Sequence, residues 1–369
     1  MIPVNRPLIS GEDRLAVIDS LTAGEISGQS EPVSNLEKSL GKFLDVKYVS
    51  VVSSGTSALD LAIESLKLDP GDECVVPTFT IVSTISNLIR KKVKIIFVDA
   101  DPNTFNMDAN KAVDAITSNT KLVIPVHIYG LPVDLDPILD RTSEVGAFVL
   151  EDSAEALGLK YKGKYCGSIG NASIFSFYAN KIVTGGEGGA IASNDKDFID
   201  KVNYYKNLCF EPKNRFVHNE FGWNARLNGL SASLINSQLS RIEILREIKI
   251  QMANEYLVGL KGHPWLGFMP RNLEYSQNMY WVFPILIKNG APFNASSLQK
   301  KLFEQGVETR RFFCPLHLQP ALRNYPFTSH GGLETSELIW EMGLYLPSGL
   351  GNTTDEIHQV IEIIWDLTK

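Results

Sequence analysis

The sequence predicts an α/β fold built on a mainly parallel sheet. Three observations predict it. Short apolar runs alternate along the first half of the chain with stretches whose apolar residues repeat at helical spacing, the pattern of strands covered on both faces by helices. Small polar residues and glycines punctuate the ends of the apolar runs, as at Ser53-Ser54-Gly55-Thr56-Ser57. The chain has 369 residues, 44% of them hydrophobic and 21% charged, which is enough for a large core and a second unit.

Taken in order, Gly11-Glu12-Asp13 opens a helix whose Leu15, Val17, Ile18 and Leu21 fit one apolar face. Residues 26–30 read as a loop, and 33–44 repeat a helical pattern through Val33, Leu36, Leu40 and Phe43. A strand over 48–52 leads through the Ser-Gly-Thr turn into a helix over 58–66. A strand over 73–77 is followed by the loop Thr78-Phe79-Thr80 and a helix over 81–89. Further strands are expected over 93–98, 121–126, 147–150 and 173–177, with helices over 108–116 and 137–144 between them. Such a sheet binds ligands at the carboxyl ends of its strands. Gly55, Thr80, His127, Asp152 and Lys181 all lie at or just past such ends. Residues 197–225 are polar and aromatic and read as a covering loop. One long helix over 230–257 then acts as a hinge. Beyond it a strand over 280–287, a helix over 296–305, a strand over 307–313 and a helix over 354–367 make a smaller α+β unit. The expected division is 1–240 for the large unit and 241–369 for the small one.

Composition narrows the function. The net charge is −7 and the pI about 5.5, with no basic stripe, so no nucleic-acid partner is expected. No apolar run approaches the ~18 residues of a membrane span, and the first residues form no apolar leader core. Cys74, Cys166, Cys209 and Cys314 are scattered without metal-ligand spacing. Reduced thiols, no metal and a cytoplasmic location are the expectation.

The chemistry centres on Lys181, between the apolar run ending at Phe177 and the glycine cluster at 185–189. Desolvation beside a buried strand disfavours the ammonium form, and an amine with a depressed pKa is the nucleophile that a Schiff base needs. A solvated loop lysine fits the same local residues. The Ser-Gly-Thr turn at a helix start offers free N–H groups and the helix dipole to a phosphate, and it is equally an ordinary N-cap. Asp152 ends a central strand, where its carboxylate can face a ring nitrogen or cap a helix. Together, in this order, a phosphate cradle, an acid and a lysine are the parts of a pyridoxal phosphate site.

The residues around these three resemble a known family. The segments are Val52-Ser53-Ser54-Gly55-Thr56-Ser57-Ala58-Leu59, Val76-Pro77-Thr78-Phe79-Thr80, Glu151-Asp152-Ser153-Ala154-Glu155-Ala156, Phe175-Ser176-Phe177 through Lys181 to Gly185-Gly186-Glu187-Gly188-Gly189, and Gly222-Trp223-Asn224-Ala225-Arg226-Leu227. They resemble the DegT/DnrJ/EryC1/StrS sugar aminotransferases, within the aspartate aminotransferase fold (fold type I), from Pro3 to the C-terminal helix. His127-Ile128-Tyr129-Gly130, Tyr161-Lys162-Gly163-Lys164-Tyr165 and Glu308-Thr309-Arg310 are similar to the perosamine-forming branch.

The resemblance implies a large, mainly parallel sheet of the seven-stranded type plus a smaller C-terminal α+β domain. It implies pyridoxal 5'-phosphate as cofactor and L-glutamate as amino donor. The acceptor would be a nucleotide-linked 4-keto-6-deoxy sugar, with GDP-4-keto-6-deoxy-D-mannose the first choice, in deoxyamino-sugar synthesis for an O-antigen or lipopolysaccharide. A UDP- or dTDP-linked sugar with a 3- or 4-keto group is the alternative, and a non-catalytic cofactor-binding regulator the rival of another class. The 3-dehydratase branch carries histidine where this chain has Lys181.

By motif position, Lys181 would form the Schiff base and move the proton, and Asp152 would pair with the pyridine nitrogen. Glu155 stands where relatives have histidine or glutamine near the phenolic oxygen. Gly55, Thr56 and Ser176 would hold the phosphate, and Ile81 stands where many relatives stack an aromatic ring. Asn224 would reach the phosphate of the neighbouring subunit, which implies a homodimer with shared active sites. Arg226, Arg310 and His317 would contact substrate. Leu131 and Gly185 depart from the histidine and threonine of the perosamine-forming enzymes.

Overall fold

The structure, a computed structural model, describes residues 1–368. The chain begins with α1 (Gly11–Ala23) and α2 (Glu31–Leu44), then alternates. In order come β1 (Tyr48–Val52), α3 (Gly55–Ser65), β2 (Glu73–Pro77), α4 (Ser83–Arg90), β3 (Lys94–Val98), α5 (Ala109–Ala115), β4 (Thr120–Val123), α6 (Asp136–Val145) and β5 (Phe148–Asp152). A small hairpin, β6 (Lys160–Tyr161) and β7 (Lys164–Tyr165), precedes β8 (Ala172–Ser176), β9 (Gly189–Ser193) and α7 (Lys196–Lys206). Two helices follow, α8 (Gly229–Leu239) and α9 (Ile242–Gly259). The remainder holds β10 (Leu266–Phe268), the hairpin β11 (Asn272–Leu273) and β12 (Ser276–Gln277), β13 (Phe283–Ile287), α10 (Ala295–Glu304) and β14 (Arg310–Arg311). It closes with β15 (Phe327–Ser329), α11 (Glu334–Met342), β16 (Gly343–Leu346) and α12 (Thr354–Leu367).

The large sheet is eight-stranded in the order β1-β9-β8-β5-β4-β2-β3-β15. β9 pairs antiparallel with both β1 and β8, and the other pairings are parallel. The expected mainly parallel α/β architecture is therefore present, with the short β15 from the C-terminal half added at one edge. The sheet is buried on both faces. One layer gathers Leu59, Phe79, Phe97 and Ile174, and the other Leu36, Val75, Phe175 and Ile235. The second sheet, β10-β13-β16-β14, packs its Phe283, Ile285 and Leu344 with Tyr256 of α9 and Ile361 of α12. The first residues join this second layer, because Ile2 bridges Val307.

Several elements differ from expectation for physical reasons. β9 is Gly-Ala-Ile-Ala-Ser, too poor in branched and aromatic residues to read as a strand. Its small residues are required where it lies between β1 and β8: a Cβ on Gly189 would sit 2.4 Å from the Ser54 carbonyl oxygen. Residues 230–257 form two helices, broken at Ser240-Arg241, where Arg241 leaves helical geometry at φ −124°, ψ 25°. About a third of the expected covering loop is α7, so Tyr204 and Tyr205 are helical. The expected strand over 307–313 shrinks to Arg310–Arg311.

The apolar face expected of α1 is turned outward. Leu15, Ile18 and Leu21 are 60%, 52% and 54% exposed. The buried face is polar instead. Asp13 accepts hydrogen bonds from the Ser10 N–H, Ser237 Oγ and Arg241 Nη2, and Ser20 meets Ser233 at 2.5 Å. These pairs satisfy the polar groups that α1 buries against α8.

Candidate active site

The phosphate cradle is built where β1 runs into α3. Ser54 caps the helix by accepting the Ser57 N–H at 3.0 Å. The first N–H groups of a helix have no partner within it and, with the dipole, favour an anion. Gly55 is the first residue of α3 and lies against the end of β8. A Cβ there would stand 2.9 Å from Ser176 Cβ. Glycine is thus required for α3 to approach Ser176 so closely, and the approach places Thr56 and Ser176 on one wall.

A cavity of about 330 Å³ opens beside that wall. Gly55, Thr56, Ile81, Asp152, Glu155, Ser176, Lys181 and Arg310 all line it. Asp152 ends β5, fully buried, with Oδ1 accepting the Ala154 N–H at 3.1 Å. Burial pushes its carboxyl up, while that hydrogen bond and the charge of Lys181 pull it down. Glu155 Oε2 accepts the Tyr129 N–H at 2.8 Å, and Glu155 Oε1 stands 4.0 Å from Lys181 Nζ. Burial raises the Glu155 carboxyl to about 7. Burial likewise holds the Lys181 amine below the usual lysine range, against the attraction of Glu155 and Asp152. The site thus collects a buried amine and two buried carboxyls, an arrangement typical of acid–base chemistry.

Residues that the sequence reading passed over complete the walls. The Lys181 Nζ lies 3.8 Å from the centroid of the Trp281 ring, a cation–π contact while the amine is charged. Trp281 Nε1 also donates to the Asn180 carbonyl at 3.0 Å, so one indole holds both the lysine and the backbone before it. Tyr178, Asn180, Glu187, Phe313 and Tyr345 line the same cavity. Trp281 reaches the site because the turn ending at Gly130 packs on its backbone. Gly130 has φ +101°, and a Cβ there would fall 2.5 Å from the Tyr280 nitrogen. No local signal marks Trp281, which lies in a segment that reads as the start of a strand.

Beneath the site, a buried polar cluster fixes the strand ends. His127 Nδ1 accepts the Val133 N–H at 3.2 Å, so Nε2 carries the proton and donates to Glu151 at 3.1 Å. Glu151 also accepts the N–H groups of Gly167, Ile169 and Gly170. These bonds hold its carboxyl below the usual range despite burial. His127 and Glu151 are therefore structural, while their neighbour Asp152 faces the cavity.

Three expected residues lie outside the cavity. Asn224 is exposed, and its Oδ1 accepts from Arg226 Nε at 2.9 Å. Arg226 also donates to Asn207 Oδ1 at 2.9 Å. His317 is held from both sides, by Thr78 Oγ1 at 2.7 Å and Glu337 at 3.0 Å. Among the described residues no group of three or more His, Cys, Asp and Glu side chains could hold a metal ion, and no helix is long and apolar enough to cross a membrane. The four cysteines are free.

The residues present fit pyridoxal phosphate. Gly55 leaves the helix start free of a Cβ that would press on Ser176, and Asp152, a buried acid, and Lys181, a buried amine, line the same cavity. When bound, the cofactor supplies an electron-withdrawing ring for charge that develops at the carbon beside the amine.

Comparison with known proteins agrees with the geometry. The model of the DegT/DnrJ/EryC1/StrS aminotransferase family matches residues 7–365. GDP-perosamine synthase of Caulobacter vibrioides is 32% identical over 360 residues, covering 98% of this chain and 96% of that protein. GDP-perosamine synthase of Vibrio cholerae is 30% identical over 364 residues, covering 99% and 98%. The crystal structure of the aminotransferase TlmJ from Streptoalloteichus hindustanus superposes with a TM-score of 0.92 over 100% of both chains, at 26% identity. The architecture is that of fold type I, and the chain belongs to the DegT/DnrJ/EryC1/StrS family as a pyridoxal-phosphate-dependent sugar aminotransferase.

Proposed function

We propose that the chain moves the amino group of L-glutamate onto a nucleotide-linked 4-keto-6-deoxy sugar, with GDP-4-keto-6-deoxy-D-mannose as the first acceptor to try. The observation that carries the reading is the Lys181 amine, buried and facing one cavity with Asp152, Glu155 and the Gly55 cradle. The perosamine synthases among the relatives support the choice of sugar.

Residue roles follow from position. Gly55, Thr56 and Ser176 hold the phosphate. Asp152 keeps a ring nitrogen protonated by presenting a negative charge to it. Ile81, half exposed on the cavity wall, would cover the ring by apolar contact. Glu155, 4.0 Å from the Lys181 amine, would face the phenolic oxygen of the cofactor. Lys181, its amine held below the usual lysine range by burial, would take a proton from the donor carbon and give it back on the cofactor side. Arg310 lines the cavity as the cation, other than Lys181, that can receive an anionic substrate group. Arg226 and His317 stand as substrate contacts only with a second subunit or a moved loop. The working form is a cytoplasmic homodimer, each chain having a large unit over 1–240 and a small one over 241–369, with β15 crossing to the large sheet and Ile2 to the second layer.

The test is a two-step assay on the cofactor-loaded enzyme. Glutamate should bleach the visible cofactor band, and GDP-4-keto-6-deoxy-D-mannose should restore it while yielding an amino sugar by mass. UDP- and dTDP-linked 3- and 4-keto sugars run beside it. Restoration only by one of those would replace the substrate and keep the reaction. A band indifferent to glutamate and to every sugar would favour a binding protein, and one relative, from Geobacillus stearothermophilus, carries the name pleiotropic regulatory protein at 30% identity over 318 residues.

A further inference from the structure

A second lysine is buried behind the first. Lys249, on α9, is 4% exposed, and its Nζ donates to the Ser348 carbonyl. Among the described residues no carboxylate pairs with it. Burial holds its amine down at about 7. A buried ammonium with one carbonyl partner is costly, so the fold bears this group at the expense of stability.

Lys249 lines a small cavity of about 10 Å³, together with Asn180, Lys181, Thr184, Gln238 and Trp281. That space suits a single water, which needs two to four polar partners. Gln238, 2% exposed, accepts the Thr184 N–H through Oε1 at 2.8 Å, which fixes its Nε2 as a donor. That Nε2 is buried without a partner among the described residues, and so is Asn180 Oδ1, an acceptor. The Lys249 ammonium carries protons beyond the one given to Ser348. The three residues that carry these two donors and one acceptor all line one water-sized space, and the groups are complementary through a water and not through one another.

We propose that one bound water in this cavity accepts from Gln238 Nε2 and Lys249 Nζ and donates to Asn180 Oδ1, so that Lys249 and Gln238 are positioning residues for Lys181. Asn180 is the link. It precedes Lys181 in the chain, and its carbonyl already receives Trp281 Nε1. The water fixes its side chain from the other face. The Lys181 segment is then held from the front by Trp281 and from behind by α8 and α9. The inference rests on the reading of Lys181 as the reacting amine.

Two measurements test it. A crystal structure of the holoenzyme at ~1.5 Å should show one water within hydrogen-bond reach of Asn180 Oδ1, Gln238 Nε2 and Lys249 Nζ. A dry cavity, or direct contact among those atoms, overturns the proposal. The second uses Lys249→Met, which keeps the stem and removes the ammonium. The variant should melt at the same or a higher temperature, because the buried charge is gone. Its single-turnover bleaching by glutamate should slow roughly tenfold, a fraction of the loss that a full ångström of misplacement brings. A purely structural lysine would alter the melting temperature and leave that rate alone, and an unchanged rate in folded Lys249→Met sinks the idea. Borohydride mapping of the cofactor adduct on the same samples separates the two readings. An adduct away from Lys181 defeats the assignment of the reacting amine, whereas an adduct on Lys181 with an unchanged rate defeats only the role of Lys249.

Discussion

At the scale of single residues, Lys181 and its two carboxyls make the sharpest predictions. Borohydride reduction of the loaded enzyme should tether the cofactor to Lys181, and Lys181→Ala should abolish transamination with the melting temperature little changed. Peptide mapping decides the first point and turnover the second. Asp152→Asn keeps the shape and loses the charge, so turnover should fall at least about a hundredfold, the size of loss when one electrostatic partner of a transition state is removed. Near-normal turnover would refute its role. Glu155 predicts a pH effect on the cofactor-free protein. Its carboxyl is raised from about 4.5 to about 7 in the fold. Between those values the folded chain holds a proton that the unfolded chain has released. Stability therefore declines as pH rises through that window. Glu155→Gln should flatten the decline in denaturant midpoints measured from pH 4.5 to 7. Lys181, Asp152 and Gly55 were legible in the sequence because each lies in a short run whose neighbours report its setting: apolar strand, strand end, helix start. Trp281 and Asn180 were not, because their roles arise where the β8–β9 connection meets the backbone before β13. No local pattern encodes that meeting.

At the scale of elements, the site depends on how closely α3 can approach β8. Gly55→Ala tests this. Alanine is tolerated at a helix start, so the cofactor-free protein should still fold, with the strain confined to the helix start. The added Cβ would meet Ser176 Cβ at 2.9 Å and push the helix start from the cradle. Cofactor affinity, read by fluorescence titration, should fall roughly tenfold, about the equilibrium worth of one strong hydrogen bond to an anion. Unchanged affinity would mean that the phosphate is held elsewhere. The strands and helices up to β8 were readable because burial on both faces produces continuous apolar runs and punctuated ends. β9 escaped because a central position that must admit the Ser54 backbone selects for small residues. The helix over 230–257 was read as one because apolar residues continue across its break. Only the buried Asp13–Arg241 pair, at 2.6 Å, shows why the chain turns there. The outward apolar face of α1 misled for the opposite reason: helical periodicity reports that a face is apolar, and not whether the chain itself covers it.

At the scale of the whole molecule, the proposed homodimer would cover these exposed faces. α1 exposes Leu15, Ile18 and Leu21, and the segment after α7 exposes Phe216 at 81% and Phe221 at 94%. Soluble chains seldom leave such groups in water unless something covers them. Asn224 lies in the same segment, outside the cavity of its own chain and pinned to Arg226, the placement that a contact across subunits requires. The homodimer with shared sites is tested by complementation. Lys181→Ala removes the amine. Asn224→Asp puts a negative charge where the phosphate of the other subunit would lie, and should weaken cofactor binding there. Each variant alone should be nearly inactive. If sites are shared, a hybrid dimer places both defects in one site and leaves the other site intact. Unfolding and reassembling an equal mixture should therefore restore activity to a minority of sites. Mass measurement of the native complexes confirms that hybrids form. Hybrids without recovered activity would mean that each subunit builds its site from its own residues, and the exposed Asn224 would then serve only to hold Arg226.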